Sequence, residues 1–255
     1  MDFGNGHRWL KRTLISVVLS AVAVLCFAAN YNERLAAFYE LKIPAGAGPH
    51  PAVVAISGCS GFRGPMYAKT LRELRDAGFA TIRVDYLAAS GKSQCRTGNV
   101  TLVTKDEVAA YIGQTVAHLR NQTTIKKTAI NLLGWSYGGG GALQYLATLD
   151  KSKPSPVAAV VAYYPNCRDV TMWTVRTPVL LLLGGADTVA PPSICRQLLS
   201  GDAAALVESE EYPGAYHAFD MSNLPPKMNY AFGIVGYQPD AAKKAKIRLL
   251  DFLRR

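Results

Sequence analysis

Short, nearly continuous runs of Val, Ile, Leu and Ala alternate along this chain with longer stretches in which apolar side chains recur every three or four residues. A continuous run suits a strand buried on both faces, and the longer recurrence suits a helix with one face on a core. The pattern predicts strands at Ala36–Ile43, Ala52–Ser57, Ala80–Asp85, Thr128–Leu133, Val157–Tyr164, Val179–Leu183 and Leu206–Tyr212. Helices are predicted between and after them, at Met66–Ala77, Lys105–Arg120, Gly138–Leu149, Ser193–Leu199 and Ala241–Arg255. Such alternation makes an α/β fold: a mostly parallel, doubly wound sheet with helices on both faces. One helix start is marked further, because Thr104 followed by Glu107 can form a reciprocal cap. The segments Ala88–Val103 and Met221–Tyr237 show no clear period and are read as loops.

The two ends depart from this pattern. Arg8, Lys11 and Arg12 precede an uncharged run from Leu14 to Ala29 that ends in small residues. Residues 1–30 are thus expected to be an export signal. The alternative is a retained membrane anchor through residues 9–29, since Trp9 and Leu10 can lengthen a run otherwise short for a bilayer. Residues 31–255 then form one catalytic-size domain, periplasmic or secreted. At the other end, Lys243, Lys244, Lys246, Arg248, Arg254 and Arg255 face only Asp240 and Asp251. This reads as a C-terminal helix with a solvated basic face, with contact to anionic lipid or polymer as the alternative. The whole chain carries a formal +10, but no nucleic-acid motif accompanies the charge.

Cys59, Cys95, Cys167 and Cys195 remain after the export segment, an even number that suggests two disulfides in an exported protein. Four thiols allow three pairings. Cys59 and Cys95 both fall in loops after strands, at the carboxyl edge of the predicted sheet, and so do Cys167 and Cys195. Cys59–Cys95 and Cys167–Cys195 are therefore expected, against the alternative of four free thiols.

The segment Gly134-Trp135-Ser136-Tyr137-Gly138 places Gly-x-Ser-x-Gly directly after a predicted strand and before a predicted helix. A serine on such a turn is held exposed, and the following helix points backbone N–H groups at an oxygen gaining negative charge. Ser136 is the candidate nucleophile. It needs a base, and histidine suits neutral pH. His7 lies in the export segment, His50 in a Gly/Pro-rich stretch before a strand and His118 within a helix, whereas His217 follows the last predicted strand. His217 is the candidate base. The elbow resembles that of the α/β-hydrolase fold, whose order of nucleophile, acid and base puts the acid after a strand between Ser136 and His217. Asp187 fits, with Asp169 one strand earlier as its rival. The backbone N–H groups of Tyr137 and Cys59 are candidate oxyanion donors, and Phe62, Trp135, Tyr137 and Trp173 are candidates to line an acyl pocket.

With Gly-Trp-Ser-Tyr-Gly-Gly at 134–139, Gly-Gly-Ala-Asp at 184–187 and Gly-Ala-Tyr-His-Ala-Phe-Asp at 214–220, residues 35–255 resemble the dienelactone hydrolase family of α/β-hydrolases. The resemblance implies an α/β-hydrolase fold, a triad and acyl-transfer chemistry on a small-molecule ester, with no metal or organic cofactor. Departures are specific. Dienelactone hydrolase itself has a cysteine where this chain has Ser136, a glutamate where it has Gly58 and a substrate-gripping arginine where it has Met221, so dienelactone is not the expected substrate. A thioesterase or peptidase on the same triad, or a non-catalytic envelope binding protein, are the alternative readings.

Overall fold

The computed structural model describes residues 38–171, 176–198 and 205–255. The expected export segment and Trp173 lie outside them. Residues Phe38–Arg255 form one compact unit.

Its centre is a seven-stranded sheet in the order β1-β3-β2-β6-β7-β8-β9. The strands are β1 (Tyr39–Lys42), β2 (His50–Ile56), β3 (Ala80–Val84), β6 (Ile125–Trp135), β7 (Ala159–Tyr163), β8 (Val179–Gly184) and β9 (Val207–Tyr212). Only β1 is antiparallel to its neighbour; every other pairing is parallel. The continuous apolar runs have their physical explanation here, since Val53–Ile56, β7 and β8 are buried along their lengths. The helices are α1 (Pro65–Asp76), α2 (Tyr86–Ala89), α3 (Lys105–Arg120), α4 (Tyr137–Ala147), α5 (Pro192–Arg196) and α6 (Pro239–Leu253). The start of α3 has the reciprocal cap: Thr104 Oγ1 accepts from the Glu107 N–H, and Glu107 Oε2 accepts from the Thr104 N–H.

Two segments without a clear sequence period form small hairpins, β4–β5 (Arg96–Thr97 and Val100–Thr101) and β10–β11 (Met228–Tyr230 and Gly233–Val235). They are too short for alternation to show. The basic C-terminal helix is also less free than its composition suggests. On α6, Ala241, Ala245, Leu249 and Phe252 face the core, and Ile247 is exposed. Arg248 pairs with Glu208 and Glu210 on β9, Arg255 with Glu208 and Lys246 with Glu73 on α1. Part of the basic face thus covers an acidic sheet edge. Among the described residues no helix is long and apolar enough to cross a membrane.

The chain winds from β2 to β3 in one direction and from β6 to β9 in the other, so the sheet reverses its winding between β2 and β6. In open parallel sheets a ligand crevice forms at the carboxyl ends of the strands flanking this reversal. Here those ends lead into Ser57-Gly58-Cys59 and into Ser136.

Candidate active site

Ser136 is the residue between β6 and α4, with φ 52° and ψ −116°. A non-glycine side chain rarely takes this left-handed region, and surrounding structure must hold it there. The Ser136 N–H donates to the Tyr163 carbonyl at 2.9 Å, and its own carbonyl accepts from the N–H groups of Gly140 and Asn166. The flanking glycines are needed for close approach. A Cβ on Gly134 would stand 2.6 Å from the Gly139 Cα, and one on Gly138 would run into the Ser57 carbonyl oxygen. The elbow is therefore wedged between its own helix and the end of β2.

His217 lies in the loop after β9. Its Nε2 is 2.9 Å from Ser136 Oγ, and its Nδ1 is 2.7 Å from Asp187 Oδ2. An ionised carboxylate can only accept, so Nδ1 carries the proton and Nε2 is left to accept from the serine hydroxyl. Asp187, in the loop after β8, uses its other oxygen to accept from the Val189 and Ala190 N–H groups, each at 2.8 Å. Both oxygens are thus engaged and the carboxylate is fixed. The loop bearing His217 is tied down by Gln238, whose Oε1 accepts from the Tyr216 N–H and whose Nε2 donates to the Gly214 carbonyl. Gly236 donates to the His217 carbonyl.

The turn after β2 is held by two tyrosines. Tyr67 Oη accepts from the Gly58 N–H at 3.2 Å, and Tyr86 Oη donates to the Gly58 carbonyl at 3.1 Å. Cys59 follows. It is disulfide-bonded to Cys95, with Cα atoms 4.8 Å apart, and its carbonyl accepts from the Cys95 N–H. A second disulfide joins Cys167 and Cys195, with Cα atoms 5.1 Å apart. Two disulfides fit an oxidising compartment.

A cavity of about 250 Å³ opens on Ser136 and His217. Gly58, Cys59 and Tyr137 line it beside the serine, together with the apolar side chains of Met221, Leu224, Met228, Tyr230 and Phe232. Among the described residues of the lining, Arg63, Arg96 and Arg168 are the charged side chains and there is no carboxylate. Arg96 lies over the Phe232 ring, 4.9 Å from its centroid, and so links the two hairpins. Tyr137 donates its hydroxyl to the Val103 carbonyl at 2.7 Å, and burial pushes that phenol up to about 12. Among the described residues, no group of three or more His, Cys, Asp or Glu side chains is placed to hold a metal ion.

The structure brings Ser136, Asp187 and His217 together with Cys59 and Tyr137, but two of the expected pocket residues are elsewhere. Trp135 is fully buried on the far side of the strand end, edge-on to Tyr67 and stacked on Tyr163. Alternation along β6 turns it to the opposite face from Ser136. Phe62 packs edge-on against Tyr67 with the Arg83 guanidinium over its ring, away from the cavity. Asp169, the rival acid, is exposed, and its charge acts on Lys105. His50 and His118 have other settings: the first starts β2, and the second packs against Tyr39. Met221 stands where the family resemblance puts a substrate-gripping residue, but the lining residues Tyr164, Leu224, Tyr230 and Phe232 were not singled out, because no local pattern marks which side chains of a loop reach a cavity.

Among solved structures the fold is similar to that of a protein assigned as a dienelactone hydrolase from Klebsiella pneumoniae subsp. pneumoniae MGH 78578. The TM-score is 0.67 at 22% identity, covering 85% of this chain and 92% of that one. It is also similar to Est1E from Butyrivibrio proteoclasticus, solved with ferulic acid bound (TM-score 0.60, 15% identity, 85% and 95% covered). A third similar structure is esterase 2 of Thermogutta terrifontis phosphoramylated by tabun (TM-score 0.57, 16% identity, 84% and 87% covered). No curated protein matches the sequence. The dienelactone hydrolase family matches residues 39–255, nearly the whole described chain, and with the parallel sheet and its strand-end crevice this places the protein in that family, as a hydrolase of the α/β-hydrolase fold.

Proposed function

We propose that the protein hydrolyses carboxylic esters through a serine acyl-enzyme. The observation that carries this reading is the hydrogen-bonded line from Ser136 Oγ through His217 to Asp187, at 2.9 and 2.7 Å, opening on a cavity. His217 takes the Ser136 proton as Oγ attacks the ester carbonyl; Asp187 holds the tautomer and stabilises the imidazolium. The Tyr137 N–H, at the start of α4, and the Cys59 N–H face the developing oxyanion. His217 then returns the proton to the leaving alcohol, and water repeats the sequence to release the acid. The Cys59–Cys95 disulfide stiffens the donor turn and supports export to a periplasmic or extracellular setting.

The apolar wall and modest volume favour a compact acyl or aryl group, and a rim with three arginines and no carboxylate favours neutral or anionic esters over cationic ones. Two of the similar structures are an enzyme named as an esterase and a protein with ferulic acid bound, which agrees with an ester substrate. A phosphonylating serine probe, followed by peptide mapping, tests the mechanism. Labelling at Ser136 together with turnover of an aryl ester is expected. A protein that neither reacts nor turns over ester, thioester or peptide is a binding module.

A further inference from the structure

Behind the His217 ring lies a carboxylate with no step in this chemistry. Asp220 turns inward: Oδ1 accepts from Tyr164 Oη at 2.6 Å and Oδ2 from Trp135 Nε1 at 3.1 Å. The residue keeps some exposed surface, but both donors are buried, Trp135 at 0% and Tyr164 at 2% exposure. Each donor belongs to a different strand end. Trp135 immediately precedes Ser136, and Tyr164 follows β7 with φ 35°. The Tyr164 ring meets His217 edge-on, 4.7 Å between centroids. The Tyr163 carbonyl holds the Ser136 N–H, and the Tyr164 N–H donates to Leu182 on β8. Asp220 thus fastens the His217 loop to the ends of both β6 and β7.

We propose that Asp220 is a positioning residue for His217, acting through Tyr164 and through its own charge. It is not itself among the residues that line the cavity, although its partner Tyr164 is. Its contacts fix the turn from His217 to Asp220 and the aromatic edge behind the imidazole, and its negative charge favours the imidazolium that forms when His217 takes a proton. The titratable groups around it are Tyr67 from α1, Tyr163 from β7, Tyr164 just after β7, and His217 from its own loop. Burial holds all three phenols above their ordinary range, so they stay neutral and His217 is the one group of this set that becomes a cation. Burial also pushes the Asp220 carboxyl up to about 6, while the hydrogen bonds from Tyr164 and Trp135 pull the other way. The ionised form is the one that these two donors stabilise. A buried carboxylate is costly where packing is all that is needed, but here each of its two oxygens accepts from a different donor, which the single oxygen of an amide cannot match.

This inference rests on His217 as the base, and its test separates the two. Asp220→Asn nearly keeps the side-chain shape, removes the charge and replaces one accepting oxygen by an –NH₂ donor. In p-nitrophenyl acetate hydrolysis, kcat should fall by between about ten- and a hundredfold with KM nearly unchanged, as expected for a displaced catalytic group. Losing a nearby negative charge lowers the histidine pKa, so the acid limb of the kcat/KM profile should move to lower pH. The His217 imidazole titration followed by NMR should shift in the same direction, and that readout does not depend on turnover. Tyr164→Phe keeps the ring edge but removes a bond that supports the ionised carboxylate, so it should move the His217 titration the same way by less. If Asp220→Asn does not fold, Tyr164→Phe carries the test. An unchanged His217 titration, or wild-type kcat and acid limb in an active enzyme, overturns the proposal even if the melting temperature falls. A shifted titration in a protein that turns over no substrate upholds it and rejects the ester-hydrolase reading instead.

Discussion

The side of the cavity that carries Ser136 is built from segments adjacent in sequence, β6, the elbow and α4, pressed against the end of β2. The facing side is assembled from the β4–β5 hairpin, the loop of His217 and the β10–β11 hairpin, drawn from positions 96 to 235. The first has strand ends that are buried, from Ile130 to Trp135 on β6, and backbone bonds on both sides of the serine. The second exposes much of what it presents: Tyr230 is 45% exposed and Met228 37%. Side chains with little buried contact can change without loosening the sheet. The difference teaches that the Ser136 elbow is fixed by steric closeness at strand ends, while the facing surface is built from hairpins whose exposed side chains have less packing to hold them. His217 belongs to both sides, which is why Gln238 and Asp220 tie its loop down.

The comparison can be broken most sharply on the elbow side. Ser136→Ala should lower kcat for an aryl ester by about 10⁶ and leave the circular-dichroism spectrum and melting curve unchanged; a residual rate above about a tenth of wild type would remove the serine mechanism. Asp187→Asn should cost about 10⁴ in kcat, because the amide turns its N–H₂ toward Nδ1 and favours the wrong tautomer. Asp169→Asn should stay near wild type, and the reverse order of these two rates would hand the acid role to Asp169.

The Cys59–Cys95 bridge joins the two sides, so Cys59→Ser with Cys95→Ser should act on both stability and rate. The closed loop of 36 residues corresponds to roughly 3–4 kcal/mol in a chain-entropy treatment. Mild reduction should lower kcat before the protein melts, since the oxyanion donor loosens first; a parallel loss of rate and structure would contradict that order. The smallest effect belongs to the rim. Phe232→Ala removes the partner of Arg96 and part of the apolar wall. KM for aryl esters should rise up to about tenfold, about 1.4 kcal/mol, with kcat and melting temperature retained. A collapse in kcat would show that the hairpins are part of the catalytic half.

The centre of the parallel sheet was legible because strands buried on both faces must be apolar along their length, as β7 and β8 are, whereas the edge strands β1 and β9 carry charged residues and are partly exposed. Ser136, Asp187 and His217 could be chosen as a set because each follows a strand, and the carboxyl ends of parallel strands share one edge. Trp135 and Phe62 were misread as pocket residues for the converse reason. An aromatic side chain suits a core and a cavity equally well, and only the direction in which the strand presents it decides between them.

By itself, then, the sequence determined the sheet, the elbow and the strand ends on which the three polar side chains sit, since these follow from local periodicity and from the close approach that Gly134 and Gly138 permit. Tertiary structure alone decided what faces Ser136 across the cavity, how Gln238 and Asp220 hold the His217 loop, and that the basic α6 covers the acidic β9. Those contacts join residues far apart in sequence, and their partners are selected by distance and burial in the folded chain, for which no local pattern exists.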